Sequence, residues 1–375
     1  MKMLRHLCCV VIAAILFCSQ SWSWGGATHK VINKEAVKHL PSSLRLFSNN
    51  TQWISDHSVD ADNRKGSDPT EGTKHYIDIE DYAEFKTGTL SHDINVLIAK
   101  YGLSTVTSIG VVPWATVWSL DSLTQTLRRG DSTRALQFAA DLGHYVGDAH
   151  QPLHVTSNYD GAQTGNNGIH SRYESTMLGT SYNYLNQVTV TQQEVHFIPK
   201  PIDFAFDYIT HGNGLVDSIL QADSYAKATS GGSTSGSVYY AALWGKTGEM
   251  TKAQIQDATV DLACLWYTAA VNAGLISLTS VSSAGELQPR FELLQNYPNP
   301  FNPTTTISFS LGSISNVTVK IYNLLGQEVE TLVSGNRSAG IFRVQWKATG
   351  VASGIYLCRM QAGSYVETRK LILMK

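Results

Sequence analysis

The stretch HYVGDAHQPLH, residues 144–154, carries imidazoles and a carboxylate at spacings that suit a metal ion. His144 and Asp148 are four apart on a predicted helix, so both side chains leave one face. Pro152 helps to end that helix and lets His154 turn back toward the same face. Taken alone, the cluster is equally compatible with an amphipathic helix bearing a capped histidine. A second pair, His170 and Glu174 in GIHSRYES, repeats the i, i+4 spacing after a loop rich in Gly and Asn. Two such pairs bracketing His154 form a donor set for more than one zinc ion, because zinc takes imidazole nitrogen and carboxylate oxygen in tetrahedral sites. The stretch VDADNRKGSDPTEGTKHYIDIED adds Asp62 and His75 as a further carboxylate and imidazole. Asp60, Asp78, Glu80 and Asp81 compete there as acids and read mostly as a solvated loop. His57 and His150 read as surface groups or as supports behind the ligands.

One more nitrogen donor depends on processing. Residues 1–23 read as a signal peptide: Lys2 and Arg5 give the positive start, Leu7 to Phe17 the short apolar core, and Ser21-Trp22-Ser23 a small-x-small cleavage site. Phe17 is too large for a lipid-attachment site at Cys18, and the apolar run is too short to span a bilayer comfortably. No other stretch reads as a membrane span. Cleavage makes Trp24 the first residue. Its free amine, with an ordinary pKa of roughly 7.7–8.0, is a ligand once neutral, and its carbonyl and His29 offer to close the same site.

These groups need a scaffold. From Trp24 to about Leu278 the pattern is helical: VINKEAVKHL puts Val31, Ile32, Ala36, Val37 and Leu40 on one face, and TRALQFAADLGHYVGDA does so with Leu136, Phe138, Ala139, Leu142, Tyr145 and Val146. The Gly- and Ser-rich run at 229–237 reads as a loop inside one domain, since AALWGKTGEM and QIQDATVDLACLWYTAAVNAGLI resume helical character. From Phe291 onward short β-rich runs alternate with Gly, Asn, Ser and Pro. TTTISFSL, VTVKIYNLLG, FRVQWKA, GIYLCRM and YVETRKLILM predict a small β-sandwich. The expected division is a signal peptide at 1–23, a catalytic domain at 24–280, a linker at 281–290 and a β-domain at 291–375.

Bulk properties narrow the field. The net charge of −2 and pI near 6.6 lack the overall basic character of a nucleic-acid-coating protein, although a local basic groove stays open. Cys8, Cys9 and Cys18 leave with the leader, so Cys264 and Cys358 remain and disulfides are not the staple.

WGGATH, DADNR with KHYID, HYVGDAHQPLH and HSRYE together resemble the superfamily of zinc-dependent phospholipases C and single-strand-specific zinc nucleases of the S-one/P-one type. The resemblance covers Trp24 to about Leu278 and implies an all-α catalytic domain. It also implies three zinc ions: one held by Asp62, His75, His144 and Asp148, one by His154, His170 and Glu174, and one by Trp24, His29 and a bridging Asp148. Asp60 is the alternative to Asp62. In such a site a hydroxide held by zinc attacks a phosphodiester, and Asp62 orients or deprotonates the attacking water.

The substrate is divided between two readings. WGGATH, HYIDIED and HQPLH look more like the nucleases, with Trp114 and Trp118 in GVVPWATVW as a possible base-stacking slot or simply core. Glu174, the DAD context and HSRYE look more like the phospholipases. Single-stranded nucleic acid is the preferred substrate, phospholipid head groups the alternative, and a zinc-stabilised surface binding protein without turnover a third reading of another class. The tail, with YPNPFNP, NLLGQEV and RKLILMK, closely resembles the C-terminal sorting domain of the type IX secretion system over about Phe291 to Lys375. That resemblance implies an immunoglobulin-like β-sandwich, export through the periplasm, a secreted or surface location, and the type IX machinery as partner. The mature chain is expected to be a monomer without a transmembrane segment.

Overall fold

The computed structural model describes residues 25–276 and, apart from residues 295, 297, 298, 300, 312, 313, 338, 339 and 364, residues 291–374. Trp24, the leader and the linker expected at 281–290 lie outside the described residues. The chain divides into two compact units, one running to Ser277 and the other starting at Leu278.

The first unit is helical, and its organising element is the helix Ser132–His150. Asp131 caps its start by accepting a hydrogen bond from the Arg134 amide at 3.1 Å, which satisfies one of the free first-turn donors. Its end is set by Pro152, since the preceding Gln151 is driven to an extended conformation. Every residue from Ala139 to His150 is buried, the mark of a helix enclosed on all sides. Leu142 and Val146 enter an apolar cluster with Ile32, Phe47 and Trp266, while Tyr145 and Ala149 enter another with Ile77, Val112 and Phe206. The helix therefore carries its polar residues into the middle of the unit.

Two glycines let a second helix come close. A Cβ on Gly147 would lie 2.8 Å from His29 Nδ1, and one on Gly143 would lie 2.1 Å from Asn33 Oδ1. The helix Gly26–Ala36 packs against this small-residue stripe, which brings His29 over His144 with ring centroids 4.0 Å apart. The two helical runs expected on either side of residue 250 are one helix, Ser237–Asn272, preceded by the expected loop. Among the described residues no single helix is long and apolar enough to cross a membrane.

The second unit holds two antiparallel sheets. One has the order β1-β2-β5, from Glu292–Leu293, Thr304–Leu311 and Gly340–Lys347. The other has the order β4-β3-β6-β7, from Glu328–Arg337, Ser315–Asn323, Gly354–Ala362 and Tyr365–Leu373. Ile307, Phe309 and Trp346 of the first sheet share one core with Val319, Ile321, Met360 and Leu371 of the second. The five β-rich runs of the sequence are five of these strands. β4 has no buried residue and β1 is two residues long, so neither carries the alternation that marks a strand. Cys264 and Cys358 are both buried and free.

Candidate metal centre

Four elements deliver donors to one buried place. The helix Ser132–His150 brings His144 and Asp148, both fully buried. The short helix Asp60–Arg64 brings Asp62, the turn Gly72–His75 brings His75, and Gly26–Ala36 brings His29. Asp148 lies between them: Oδ2 is 2.9 Å from His75 Nδ1 and 3.2 Å from His144 Nε2, while Oδ1 is 3.3 Å from His29 Nε2. Asp62 Oδ1 lies 3.6 Å from both His75 Nδ1 and His144 Nε2. The competing Asp60 faces away from these donors and pairs with His57 at 2.7 Å.

A second group adjoins it. After Pro152 the chain makes one tight turn that presents His154. His170 and Glu174 come from the short helix Ile169–Ser171 and the wider π-helical turn Arg172–Met177, a local geometry that recurs at functional sites. His154 Nε2 and His170 Nε2 are 3.0 Å apart, and Glu174 Oε2 lies 3.3 and 3.0 Å from them. Gln151 Nε2 donates to the same carboxylate oxygen at 3.0 Å.

Whether these residues suit a metal is decided by which atoms meet. His75 Nδ1 faces His144 Nε2 at 3.0 Å, and His154 faces His170 in the same way. Imidazole nitrogens turned toward one another beside a carboxylate are the donor arrangement of a divalent cation such as zinc. Three groups have ligand atoms within 4.8 Å of one another: His29, His144 and Asp148; Asp62, His75 and His144; and His154, His170 and Glu174. The ring aims are fixed from behind, with His144 Nδ1 2.7 Å from the Ser58 carbonyl and His154 Nδ1 2.7 Å from the His75 carbonyl.

The protein holds these groups in strongly perturbed states. Burial and the neighbouring His144 push His29 down to about 4. Burial opposes a charge on His144, yet Asp148 and Asp62 outweigh it and push its pKa up to about 10. Burial also opposes the Asp148 charge, but His144 and His154 hold it well below the usual carboxylate range. Clustered shifts of this kind accompany buried ion-pair networks and functional centres alike.

Behind the donors lies a layer that the sequence does not announce. Glu71, buried, accepts hydrogen bonds from Tyr145 and Lys74, and pairs with Arg64 at 3.4 Å, which in turn reaches Asp141 at 3.0 Å. Its one sequence cue is a Glu-x-x-x-His spacing to His75. Of the residues set aside earlier, His57 is partly exposed and stacked on Trp53. His150 is buried, bonded to Asp261 at 3.1 Å and stacked on Tyr208. Asp78 is half-buried rather than freely solvated, and burial with Asp81 and Glu80 nearby pushes it up to about 7. Trp114 belongs to the core, whereas Trp118 is 47% exposed.

Comparison with known proteins adds identity to geometry. Residues 24–185 match the S1/P1 Nuclease family, and residues 295–374 match the Secretion system C-terminal sorting domain. No curated protein matches the chain. Among solved structures it is similar to the alpha-toxin of Clostridium perfringens from an avian strain, at 11% identity and a TM-score of 0.43, covering 94% of this chain and 95% of that one. It is also similar to the alpha toxin of Clostridium absonum, at 11% identity and a TM-score of 0.39, covering 95% and 96%.

Proposed function

For a chain whose residues 24–185 match the S1/P1 nuclease family and whose residues 295–374 match a secretion-system sorting domain, we propose a secreted nuclease that cleaves single-stranded nucleic acid at a three-zinc centre. Phosphodiester hydrolysis by a zinc-dependent enzyme follows from the family, and type IX export to the surface or exterior from the tail. The choice of nucleic acid and the number of ions are the finer claims.

The observation that carries the reading is the convergence of the donors into three adjoining groups. Asp62, His75, His144 and Asp148 are assigned to one ion, and His154, His170 and Glu174 to another. Trp24, through amine and carbonyl, is assigned with His29 and Asp148 to the third. Gly25 supports the N-terminal assignment: a Cβ there would lie 3.3 Å from Ser175 Cα, so the chain start runs against the element that bears Glu174.

Zinc in such a site supplies Lewis acidity for the phosphoryl oxygens and for water. The chain's own part is positioning. Asp62 is 14% exposed while Asp148 is fully buried, so Asp62 is the site carboxylate that an attacking water can reach. Burial opposes its charge, but His144 and the Lys65 ammonium, 2.7 Å from Oδ1, hold it well below the usual carboxylate range, which keeps it ionised at neutral pH. As an ionised group it orients the attacking water by accepting its hydrogen bond; the proton of the water passes to solvent as the new phosphorus–oxygen bond forms, and the leaving oxygen departs as an alkoxide that a bound cation would neutralise and solvent protonates.

Trp118 favours nucleic acid. It lines a cleft with Phe138, three cations (Arg64, Lys74 and Arg134) and three acids (Asp68, Glu71 and Asp141), and its half-exposed aromatic face is a surface on which a base can stack. The second reading, a phospholipase C, is favoured by Glu174 as the carboxylate of the second group. The test is an assay pair on purified mature protein: nucleotide release from single-stranded DNA or RNA is expected, and phosphocholine release from lecithin instead would move the chain to the second reading.

A further inference from the structure

The ring of His75 has two ends, and only one belongs to the donor cluster. Nδ1 faces Asp148, His144 and Asp62. Nε2 is buried and makes no hydrogen bond, and the carboxylate facing it is Glu71, with Oε1 at 3.6 Å. Glu71 is itself 1% exposed. A carboxylate buried to that degree is costly unless it is paired and hydrogen-bonded. Here Tyr145 donates to Oε1, Lys74 donates to Oε2 at 2.9 Å, and Arg64 lies 3.4 Å from Oε1.

This arrangement ties together the elements that bring the ligands. Arg64 ends the helix that carries Asp62, and through Asp141 it is also anchored to the helix that carries His144 and Asp148. Tyr145 follows His144 on that helix, and Lys74 precedes His75. All of them converge on one carboxylate whose free direction is the His75 ring.

We propose that Glu71 is a positioning residue of the metal centre: its charge, facing Nε2 of His75 at 3.6 Å, favours the tautomer that keeps the proton on Nε2 and leaves Nδ1 open for ligation, and holds the ring at the Asp62 and His144 side. The inference rests on the zinc reading of that cluster. A histidine ligand whose second nitrogen is held by a carboxylate binds metal more tightly, and loss of the partner weakens affinity by about 10- to 100-fold. Because Glu71 reaches the donor cluster only from behind the His75 ring, its loss acts on the cluster through metal affinity.

The test compares zinc affinity by chelator competition for the full mature chain, Glu71→Gln, His75→Ala and Asp141→Asn, with the visible spectrum of each protein after cobalt loading. Glu71→Gln is expected to release one zinc about 10- to 100-fold more readily, to shift the cobalt bands, and to lower kcat. Asp141→Asn, which loosens the same arginine without touching His75, is expected to leave the bands in place. Should Glu71→Gln fold poorly, Tyr145→Phe removes only the hydroxyl that holds Oε1 and is expected to weaken zinc several-fold. Unchanged affinity and an unchanged spectrum in the folded Glu71 or Tyr145 variant would overturn the proposal. If His75→Ala also keeps the full zinc content, the zinc reading of this cluster has failed first, and the two failures are thereby told apart.

Discussion

At the scale of single residues, Asp148 is the group on which the centre turns, since its two oxygens face different imidazoles. Asp148→Ala is therefore expected to lose more than one zinc per chain and at least about 100-fold in activity, as read by elemental analysis and a nuclease assay. Asp62→Asn acts on both the donor set of one ion and the attacking water: zinc content should fall and kcat should drop by about 100- to 10,000-fold, as elemental analysis and a nuclease assay would show. Protonation has a defined sign. His144 in the protein without metal is pushed up to about 10, and zinc binds only the neutral ring. Metal uptake should thus release protons, and affinity should rise with pH across the neutral range, by about tenfold per pH unit for each proton displaced. Calorimetry in buffers of different ionisation enthalpy measures that release. The ligand types and their i, i+4 spacings were legible in the chain because the central helix is regular. Glu71 was not, since nothing in a loop with several acids tells which one will be buried against a histidine.

At the scale of elements, the site depends on how closely Gly26–Ala36 approaches Ser132–His150. Gly147→Ala would place a methyl 2.8 Å from His29 Nδ1, so it should cost about 1–3 kcal/mol of stability through overpacking and weaken the zinc assigned to His29. Gly245 makes the contrast: it is exposed within Ser237–Asn272 and a Cβ there meets nothing within 4 Å. Gly245→Ala should stabilise by about 0.5–1 kcal/mol and leave zinc content alone, as thermal unfolding would show. The amphipathic faces of both ligand-bearing helices could be read from their 3.6-residue period. The close approach could not, because it follows from two glycines whose role appears only when His29 and Asn33 stand opposite them. The π-helical turn at Arg172–Met177 was likewise invisible, although it leaves His170 and Glu174 paired as their spacing suggested. In the β-unit, alternation exposed the strands with buried faces, and the strand without a buried residue went unread.

At the scale of the whole molecule, chemistry and address occupy separate units of the chain. A chain ended after Ser277 should keep its zinc and its activity but fail to leave the cell, which fractionation of an expressing host would show. On the proposed three-zinc reading, cleavage before Trp24 belongs to the chemistry as well as to the address. One extra residue ahead of Trp24 should remove the third zinc and most activity. The most direct measurement is zinc per chain by elemental analysis of the purified mature protein, taken with nucleotide release from single-stranded DNA. The proposed three-zinc centre predicts a value near three, with release that falls as zinc is chelated. A folded, active protein that holds no zinc would contradict the metal centre itself.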